Sequence, residues 1–284
     1  MTSVRQYFRT IKDQLTSILG NGGEASAAAD IIFEDVAGYS KTFVFANGDR
    51  EITDSMQAKI KAVVDKIAAG EPVQYAIGRA RFMGNDFIVT PATLIPRPET
   101  AGLVDMITDR WGGTSDLRVC DIGTGTGCIA ISLARALPFS KVTGIDISSE
   151  AITVAKSNAA SLKANVDFIC ADLLKASPAA DSFDIVVSNP PYVTESEAKE
   201  MDSRVLDYEP HTALFVPDSD PLRFYKAIAG YAHTALRSGG MLYFEINQHF
   251  AEEMAAMLRE NGFDDVSVAR DYKGNYRYAS AVKP

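Results

Sequence analysis

The fold is decided by a short stretch that runs Val119-Cys120-Asp121-Ile122-Gly123-Thr124-Gly125-Thr126-Gly127. An apolar run passes there directly into three alternating glycines, and a helical pattern of apolar residues follows over 129–134. Glycine lets a backbone turn tightly and come close to a ligand. The stretch therefore predicts a strand, a ligand-binding loop and a helix, in that order.

Around this stretch, strand-like runs alternate with helical patterns, which predicts a parallel sheet covered by helices on both faces. The candidate strands are 118–122, 141–145, 166–170, 184–188, 241–246, 266–270 and 277–282. Only 271–276 separates the last two, which is too short for a crossover helix, so they should pair in antiparallel fashion. We expect an α/β, Rossmann-like domain with a seven-stranded, mostly parallel sheet over 101–284.

The residues before this domain have a different pattern. Helical periodicity over 4–19, 25–39 and 56–67 predicts a small N-terminal helical domain over 1–71. Because it precedes the α/β domain, we expect it to bind the substrate.

Residues 72–100 are predicted to connect the two domains. Runs over 81–83 and 86–89 flank Gly84-Asn85, a plausible turn for a β-hairpin. Pro96 and Pro98 then favour a rigid loop over 91–100.

Composition excludes several classes of protein. No apolar run approaches the roughly 18 residues that a membrane span needs, and the N-terminal residues lack the features of a secretory signal. We therefore expect a cytoplasmic protein without membrane contact. The net charge of -9 would repel a phosphate backbone, so no direct nucleic-acid partner is expected.

The metal-binding residue types are few and scattered. The chain has an odd number of cysteines, and all three lie among apolar residues: Cys120, Cys128 and Cys170. This pattern predicts buried free thiols. The three histidines share no ligand spacing with them or with each other, so no metal is expected.

Residues beyond the glycine loop narrow the choice of ligand. A dinucleotide fold would place its third glycine where Cys128 stands, and the Lys-Ser/Thr pair of a phosphate loop is absent. Asp146 ends the next predicted strand, where a carboxylate can accept from both ribose hydroxyls. Asp172 and Leu173 follow the third strand and would suit adenine. These positions predict an adenosine ligand without a pyrophosphate, although aspartates at strand ends also cap helices.

A second motif, Asn189-Pro190-Pro191-Tyr192, follows the fourth predicted strand. The prolines fix the backbone, so the Asn189 side-chain carbonyl and the Pro190 backbone carbonyl can both accept hydrogen bonds. A planar NH2 group donating to both would be oriented for in-line attack on a sulfonium methyl, and Tyr192 could stack on it. The motif predicts methyl transfer to a planar nitrogen, although Asn-Pro is also a common turn signal.

With these motifs the chain resembles the N5-glutamine methyltransferases over nearly its whole length. Adenine-N6 methyltransferases share the glycine loop and Asn-Pro-Pro-Tyr, so two other segments carry the resemblance. They are the loop Pro91-Ala92-Thr93-Leu94-Ile95-Pro96-Arg97-Pro98-Glu99-Thr100 and the segment Tyr208-Glu209-Pro210 with Ala213-Leu214. The loop is more similar to that of the release factor glutamine methyltransferases than to that of the ribosomal-protein enzymes.

The resemblance implies a class I methyltransferase. It implies transfer from S-adenosyl-L-methionine, released as S-adenosyl-L-homocysteine, to the side-chain amide of the glutamine in the Gly-Gly-Gln motif of peptide chain release factors. A release factor is the implied protein partner. The implied catalytic residues are Asn189 and Pro190, and the implied glutamine-binding residues are Asn189, Pro190, Pro191 and Tyr192. The implied cofactor-binding residues are Gly123, Thr124, Gly125, Thr126, Gly127 and Asp146. Asp172 and Leu173, from their position after a strand, and Asn189 complete the predicted cofactor site.

Other interpretations stay open at this point. An adenine-N6 methyltransferase of DNA or RNA would use the same planar-NH2 pocket, but it usually carries a basic recognition surface. A ribosomal-protein glutamine methyltransferase and a noncatalytic S-adenosylmethionine-binding module are the other two. Adenine contact by Leu173 is open, and so is the choice for Arg97 and Glu99 between a salt-bridged loop and a functional one.

Overall fold

The computed structural model describes residues 2–173, 175 and 178–284. The chain divides into two compact units. The first comprises Met1–Arg79 with Asp202–Tyr208, and the second comprises Ala80–Met201 with Glu209–Pro284. Within the described ranges, none of the helices combines the length with the apolar character needed to cross a bilayer.

The helices described are α1 Val4–Leu19, α2 Gly22–Ala37, α3 Lys41–Asn47, α4 Asp54–Ala68, α5 Val73–Ile77, α6 Pro98–Trp111, α7 Cys128–Ala136, α8 Ser149–Leu162, α9 Ser203–Tyr208, α10 Arg223–Ala235 and α11 Ala251–Glu260. The strands described are β1 Arg79–Phe82, β2 Asn85–Ile88, β3 Arg118–Ile122, β4 Lys141–Asp146, β5 Val166–Cys170, β6 Phe183–Ser188, β7 Val193–Thr194, β8 Phe215–Val216, β9 Leu236–Glu245, β10 Asp264–Arg270 and β11 Tyr276–Val282.

The first unit is helical and has its own apolar core. The predicted helix over 4–19 is confirmed, and it ends at Gly20, whose φ of 69° suits glycine. The second helix begins and ends earlier than the predicted 25–39, because the Asn21 side chain caps its first turn and Gly38 ends it. α4 overlaps the predicted 56–67, whereas the short helices α3 and α5 were not predicted.

A segment distant in sequence completes the first unit. The Arg204 guanidinium of α9 pairs with Glu24 of α2 and with Asp202. The Tyr208 hydroxyl donates to the backbone carbonyl of Ala69 at 2.9 Å. The chain therefore returns to the helical unit after the Asn-Pro-Pro-Tyr motif, which local sequence patterns did not predict.

The second unit is built on a seven-stranded sheet in the order β10-β11-β9-β6-β3-β4-β5. β9, β6, β3, β4 and β5 run parallel, and β11 pairs antiparallel with both β9 and β10. The predicted α/β, Rossmann-like fold with a mostly parallel sheet is confirmed. Six of the seven predicted strands agree within two residues at each end, and β9 begins at Leu236 instead of 241.

Helices cover both faces of this sheet, and alternate residues along each strand supply the two cores. Cys120 and Ile122 of β3 belong to the cluster that includes α10 and α11. Val119 of the same strand belongs to the opposite cluster, with α6 and α7. This alternation is what the two-residue period of a strand produces when both faces are buried.

The strand order places the two sequence motifs side by side. From β3 the chain moves outward through β4 to β5, and it then returns to β6 on the other side of β3. The loops after β3 and β6 therefore diverge at a topological switch point, where open parallel sheets bind ligands. The glycine loop follows β3, and Asn189 follows β6 directly.

The predicted hairpin forms, but its turn lies one residue earlier than predicted. β1 and β2 form a two-stranded sheet, and the turn consists of Met83 and Gly84 instead of Gly84-Asn85. Met83 and Gly84 have φ values of 46° and 72°. Two central residues with positive φ match a type I′ turn, whose twist suits a hairpin.

Two further expectations are corrected. The predicted loop over 91–100 ends early, because α6 begins at Pro98; proline suits the first helical position, where its missing N–H costs no hydrogen bond. Cys170 is exposed at the end of the edge strand β5, whereas Cys120 and Cys128 are buried as predicted. An edge strand has one uncovered side, which explains the difference.

Candidate active site

A cavity of about 750 Å³ lies at the carboxyl ends of β3, β4 and β6, within the second unit. Its size is typical of a site for a small molecule or cofactor. The predicted site residues that line it are Gly123, Thr124, Gly125, Thr126, Asp146, Asp172, Leu173, Asn189, Pro190 and Pro191. The two sequence motifs thus share one cavity.

The glycine loop has backbone angles that favour glycine. Gly123 and Gly125 have φ values of 72° and 53°, and a Cβ at Gly123 would meet no other atom within 4 Å. The loop backbone is therefore open toward the cavity at this point. The Gly123 and Thr124 N–H groups both donate to the carbonyl of Ile145, at 2.8 and 3.0 Å, which fixes the loop against β4.

Gly127 has a different surrounding from the other two glycines and is not among the cavity-lining residues of the described chain. Its φ is 79°, and a Cβ there would lie 3.0 Å from the Ile131 side chain and 3.3 Å from Phe168. Its small size allows α7 to pack closely over the sheet. Cofactor binding by Gly127 remains a prediction.

Asn158 fixes the loop from its other side. This buried side chain of α8 donates to the carbonyl of Thr126 at 2.9 Å. It also exchanges two hydrogen bonds with the Ile88 backbone, at 2.7 and 3.0 Å. One amide therefore joins the loop to the end of the hairpin, and no local pattern around Asn158 indicated this.

Asp146 ends β4 and faces the loop. The Gly125 N–H donates to Oδ2 and the Ser148 N–H donates to Oδ1, each at 2.9 Å. An ionised carboxylate has about four acceptor sites, so Asp146 can still accept hydrogen bonds from a ligand. Its neighbour Ile147 also lines the cavity and is 65% exposed. Sequence reasoning missed Ile147, although an apolar residue directly after a strand-end acid was a usable signal.

Asp121 lies beneath the loop, fully buried. Its Oδ2 accepts hydrogen bonds from the Thr124 hydroxyl at 2.6 Å and from the Ala130 N–H at 3.1 Å. In the described part of the chain its Oδ1 has no hydrogen-bond partner. Burial raises the pKa of Asp121 to about 7, against the opposing effect of these hydrogen bonds. The residue joins the loop to the first turn of α7.

Asp172 and Leu173 line the cavity beyond β5, as predicted from their position. The Asp172 carboxylate lies 2.9 Å from Lys175 Nζ. This ion pair orients one carboxylate at the rim where the adenine amino group was expected. Contact of either residue with adenine remains a prediction.

Asn189 is held by a residue of α6. Its side-chain Nδ2 donates to Thr100 Oγ1 at 3.3 Å, and the Thr100 hydroxyl donates to Glu245 Oε2 at 2.7 Å. Thr100 is 3% exposed and Glu245 is 1% exposed. Neither was predicted to act in the site, because each lies far from Asn189 in sequence.

Tyr192 contacts the same carboxylate. Its hydroxyl donates to Glu245 Oε1 at 3.2 Å, and its ring packs against the core beside α10 and α11. Burial raises the pKa of Tyr192, and the nearby Glu245 charge adds to the effect. Of the four residues of the motif, Tyr192 alone is missing from the described cavity lining. Stacking on the acceptor group remains a prediction.

One ion pair fixes the end of the loop that precedes α6, and a second fixes the first turn of α6. Glu209 is 3% exposed; it accepts from the Ile95 N–H at 3.1 Å and pairs with the Arg97 guanidinium. Glu99 pairs with Lys273 Nζ at 2.6 Å, and this hydrogen bond lowers the pKa of Glu99. Arg97 and Glu99 are therefore both salt-bridged, and a functional role for either one stays a prediction. Arg97 also lines the cavity, and so does Pro210, next to Glu209.

Comparison with known proteins finds two matching family models and full-length relatives. Residues 11–78 match the family model described as PrmC N-terminal domain, and residues 113–266 match the one described as methyltransferase domain. A release factor glutamine methyltransferase of Bacteroides thetaiotaomicron is 44% identical over 91% of this chain and 92% of its own length. One from Enterococcus faecalis is 35% identical over 98% of this chain and 99% of its own.

The chain belongs to the release factor glutamine methyltransferase family. This confirms the family resemblance that was inferred from the loop over 91–100 and from the segment around Glu209. Two solved structures share its fold: a methyltransferase from Pyrococcus furiosus and a 16S rRNA N2 G1207 methyltransferase from T. thermophilus. The Pyrococcus furiosus structure aligns with a TM-score of 0.51 and 18% sequence identity, and the alignment covers 71% of this chain and 90% of that one. The T. thermophilus structure aligns with a TM-score of 0.52 and 18% sequence identity, and the alignment covers 72% of this chain and 50% of that one.

Proposed function

We propose that this family member transfers a methyl group from S-adenosyl-L-methionine to the side-chain amide nitrogen of a glutamine. The proposed acceptor is the glutamine in the Gly-Gly-Gln motif of peptide chain release factors. The observation that carries the proposal is the shared cavity: Asn189 and Pro190 line it together with the glycine loop. The names of the full-length relatives support the choice of acceptor.

The residues at the carboxyl ends of β3 and β4 fit S-adenosylmethionine. The backbone at Gly123 faces open space, so a ligand can approach it without meeting a side chain. Asp146 keeps acceptor capacity for ribose hydroxyls, and the exposed Ile147 beside it offers an apolar surface for an adenine ring. When bound, the cofactor supplies an electrophilic methyl group on a sulfonium. We propose that these three residues, with Asp172, hold it.

On the other side of the cavity, the chain's own groups orient the acceptor. The Asn189 side-chain carbonyl and the Pro190 backbone carbonyl can accept the two N–H bonds of a primary amide, since neither carbonyl can donate. This holds the planar group in one orientation and reduces the entropy lost on reaching the transition state. The prolines keep both carbonyls in place, because their rings fix φ.

We also propose that the helical unit contacts the release factor protein. It has its own core, so its surface can serve recognition without being needed for the cavity. Phe45 on α3 is 83% exposed, so its ring is accessible to a protein partner. Replacing Phe45 by serine should raise KM for the intact release factor and leave the affinity for S-adenosylmethionine unchanged. An unchanged KM would remove Phe45 from the contact surface.

The proposed function is tested by incubating the protein with labelled S-adenosylmethionine and three acceptors, followed by mass spectrometry of each. The acceptors are a purified release factor, ribosomal protein and DNA. Label on the Gly-Gly-Gln glutamine supports the proposal. Label confined to DNA would favour an adenine-N6 methyltransferase, and label confined to ribosomal protein would move the acceptor while keeping the chemistry.

A further inference from the structure

Glu245 is a buried acid that the proposed mechanism does not use. It ends β9, the strand next to β6, and it is absent from the described lining of the cavity. Both of its oxygens are nonetheless engaged, Oε2 by the Thr100 hydroxyl and Oε1 by the Tyr192 hydroxyl. A buried carboxylate is costly to maintain. Through Thr100, Glu245 is linked to Asn189, the first residue of the Asn-Pro-Pro-Tyr motif. It also binds Tyr192, the last residue of the motif, directly.

The bond to Thr100 determines which way the Asn189 amide faces. A threonine hydroxyl carries one proton, and here that proton is given to Glu245. Toward Asn189, the Thr100 oxygen can therefore only accept, which selects the Nδ2 end of the amide as its partner. The two ends of an asparagine amide have almost the same shape, so hydrogen bonding decides between them.

The opposite orientation would oppose the proposed reaction. With Nδ2 turned away from Thr100, the motif would offer an N–H donor where the acceptor glutamine also offers N–H donors. Two donors facing each other in a closed site leave both without partners. The orientation of the Asn189 amide therefore determines whether the site can bind the NH2 group of the glutamine.

We propose that Glu245 and Thr100 are positioning residues that fix the Asn189 amide with its Oδ1 free to accept from the substrate NH2 group. Tyr192 is held by the same carboxylate. The inference rests on the proposed function, because it assumes that the substrate group facing Asn189 Oδ1 is the NH2 group of a glutamine side chain. Thr100 lines the cavity beside Asn189, whereas Glu245 does not line its described part. In this proposal both residues act through Asn189.

The charge of Glu245 is part of this arrangement. Burial raises the pKa of the Glu245 carboxyl, and the Thr100 and Tyr192 hydrogen bonds and the Arg277 charge oppose that rise. The titratable and charged groups around it are Glu99, Cys128, Tyr192, Tyr225, Arg277 and Tyr278. A protonated Glu245 can donate to Thr100, whose own proton is then free to turn toward Asn189 and favour the flipped amide. Turnover should therefore decline as pH falls through this pKa.

The test compares Thr100→Val, which keeps the shape and removes the hydroxyl, with Thr100→Ser, which keeps the hydroxyl. With release factor as substrate, Thr100→Val should lower kcat by about tenfold or more, the effect of misplacing one hydrogen bond. Its Kd for S-adenosylmethionine should change much less than kcat, since the substitution leaves Gly123, Asp146 and Ile147 unchanged. Thr100→Ser should recover most of kcat. A folded Thr100→Val enzyme with wild-type kcat, or a Thr100→Ser enzyme as slow as Thr100→Val, would overturn the proposal.

Glu245→Gln supplies a second test that does not depend on the folding of Thr100→Val. Glutamine keeps an oxygen for the Thr100 hydroxyl but cannot be protonated, so this variant should stay active and lose the acid-side decline in kcat. The same decline in wild type and Glu245→Gln would contradict the proposal.

A substrate-free measurement separates this inference from the proposed function. In protein labelled with 15N-asparagine, the Asn189 side-chain NH2 resonances should shift in Thr100→Val and keep their positions in Thr100→Ser. Unchanged resonances in both would refute the bond to Thr100. A wild-type enzyme that leaves the release factor unmethylated would refute the proposed function, while these resonances would still decide the positioning.

Discussion

The Gly125 N–H donates to the Asp146 carboxylate at 2.9 Å, so the residue that ends β4 holds the loop that follows β3. β3 and β4 are neighbouring parallel strands, so the loop after β3 and the last residue of β4 lie at the same edge of the sheet. Asp146 therefore has two effects: it shapes the glycine loop, and it keeps acceptor capacity toward the cavity. Loss of the carboxylate should affect both.

Asp146→Ala should raise the Kd for S-adenosylmethionine by about a hundredfold or more. Two charge-assisted hydrogen bonds to ribose hydroxyls contribute about 1.5–3 kcal/mol each, and every 1.4 kcal/mol is about tenfold in Kd. Isothermal titration calorimetry measures this directly. Asp167→Ala is the matched control, since Asp167 is exposed on β5, next to β4. Equal affinities for the two variants would remove Asp146 from the cofactor site.

Ile147→Ser should weaken S-adenosylmethionine binding without lowering stability. The side chain is 65% exposed, so its loss costs the fold little, whereas an adenine ring packed on it would lose apolar contact. We expect the Kd for S-adenosylmethionine to rise about three- to tenfold, which is a loss of roughly 0.6–1.4 kcal/mol of binding free energy. The Tm should not change. Phe139→Ser, at a residue 82% exposed and outside the described cavity lining, should change neither quantity.

Arg97→Ala should destabilise the protein by leaving the Glu209 carboxylate buried without its charge partner. Because the Arg97 side chain is one-third exposed, we expect about 1–3 kcal/mol, less than for a fully buried pair. Urea denaturation measures the change in the free energy of unfolding. The double variant Arg97→Ala with Glu209→Leu should be less destabilised than the sum of the single changes. Strict additivity would mean that the ion pair is not coupled.

Asp121 should make stability depend on pH. Its folded pKa of about 7 lies above the ordinary value of 3.8 because burial disfavours the charged form. Between those two values the native state binds more protons than the unfolded state, so the stabilisation present at low pH is lost as pH rises toward 7. Relative to Asp121→Asn, the unfolding free energy of the wild type should fall by at most about 1.4 kcal/mol per pH unit between these two pKa values.

Urea denaturation from pH 5 to pH 8 tests this dependence. The difference in unfolding free energy between wild type and Asp121→Asn should grow up to about pH 7 and then level off, with Asp167→Asn as the exposed control. A difference that stays constant with pH would show that Asp121 titrates at its ordinary value.

The features predicted from the sequence depend on local patterns. β3 and its glycine loop follow from a run of nine residues, and the parallel sheet follows from alternating strand and helix patterns. Once the sheet is predicted, the meeting of the loop at Gly123 with Asn189 follows from where parallel strands end. The Rossmann-like fold and the main cavity residues therefore follow from local sequence patterns.

The features missed depend on contacts between distant residues. Thr100 and Glu245 are 145 residues apart, and Ile95 and Glu209 are 114 apart, yet each pair shares a buried hydrogen bond. Nothing in the neighbouring sequence of Glu245 distinguishes it from an ordinary strand-end acid. Such pairings depend on strand order and side-chain packing, which periodicity does not encode.

In the proposed reaction, Asn189 orients a glutamine amide for methylation. The most direct test is site-resolved mass spectrometry of a release factor treated with wild type or with Asn189→Ala, alongside the Kd for S-adenosylmethionine of both. We predict one added methyl group on the Gly-Gly-Gln glutamine with wild type and none with Asn189→Ala, and a cofactor affinity that changes far less than methyl transfer does. Methylation by Asn189→Ala at the wild-type rate, or a wild-type enzyme that methylates only another residue or DNA, would contradict the account.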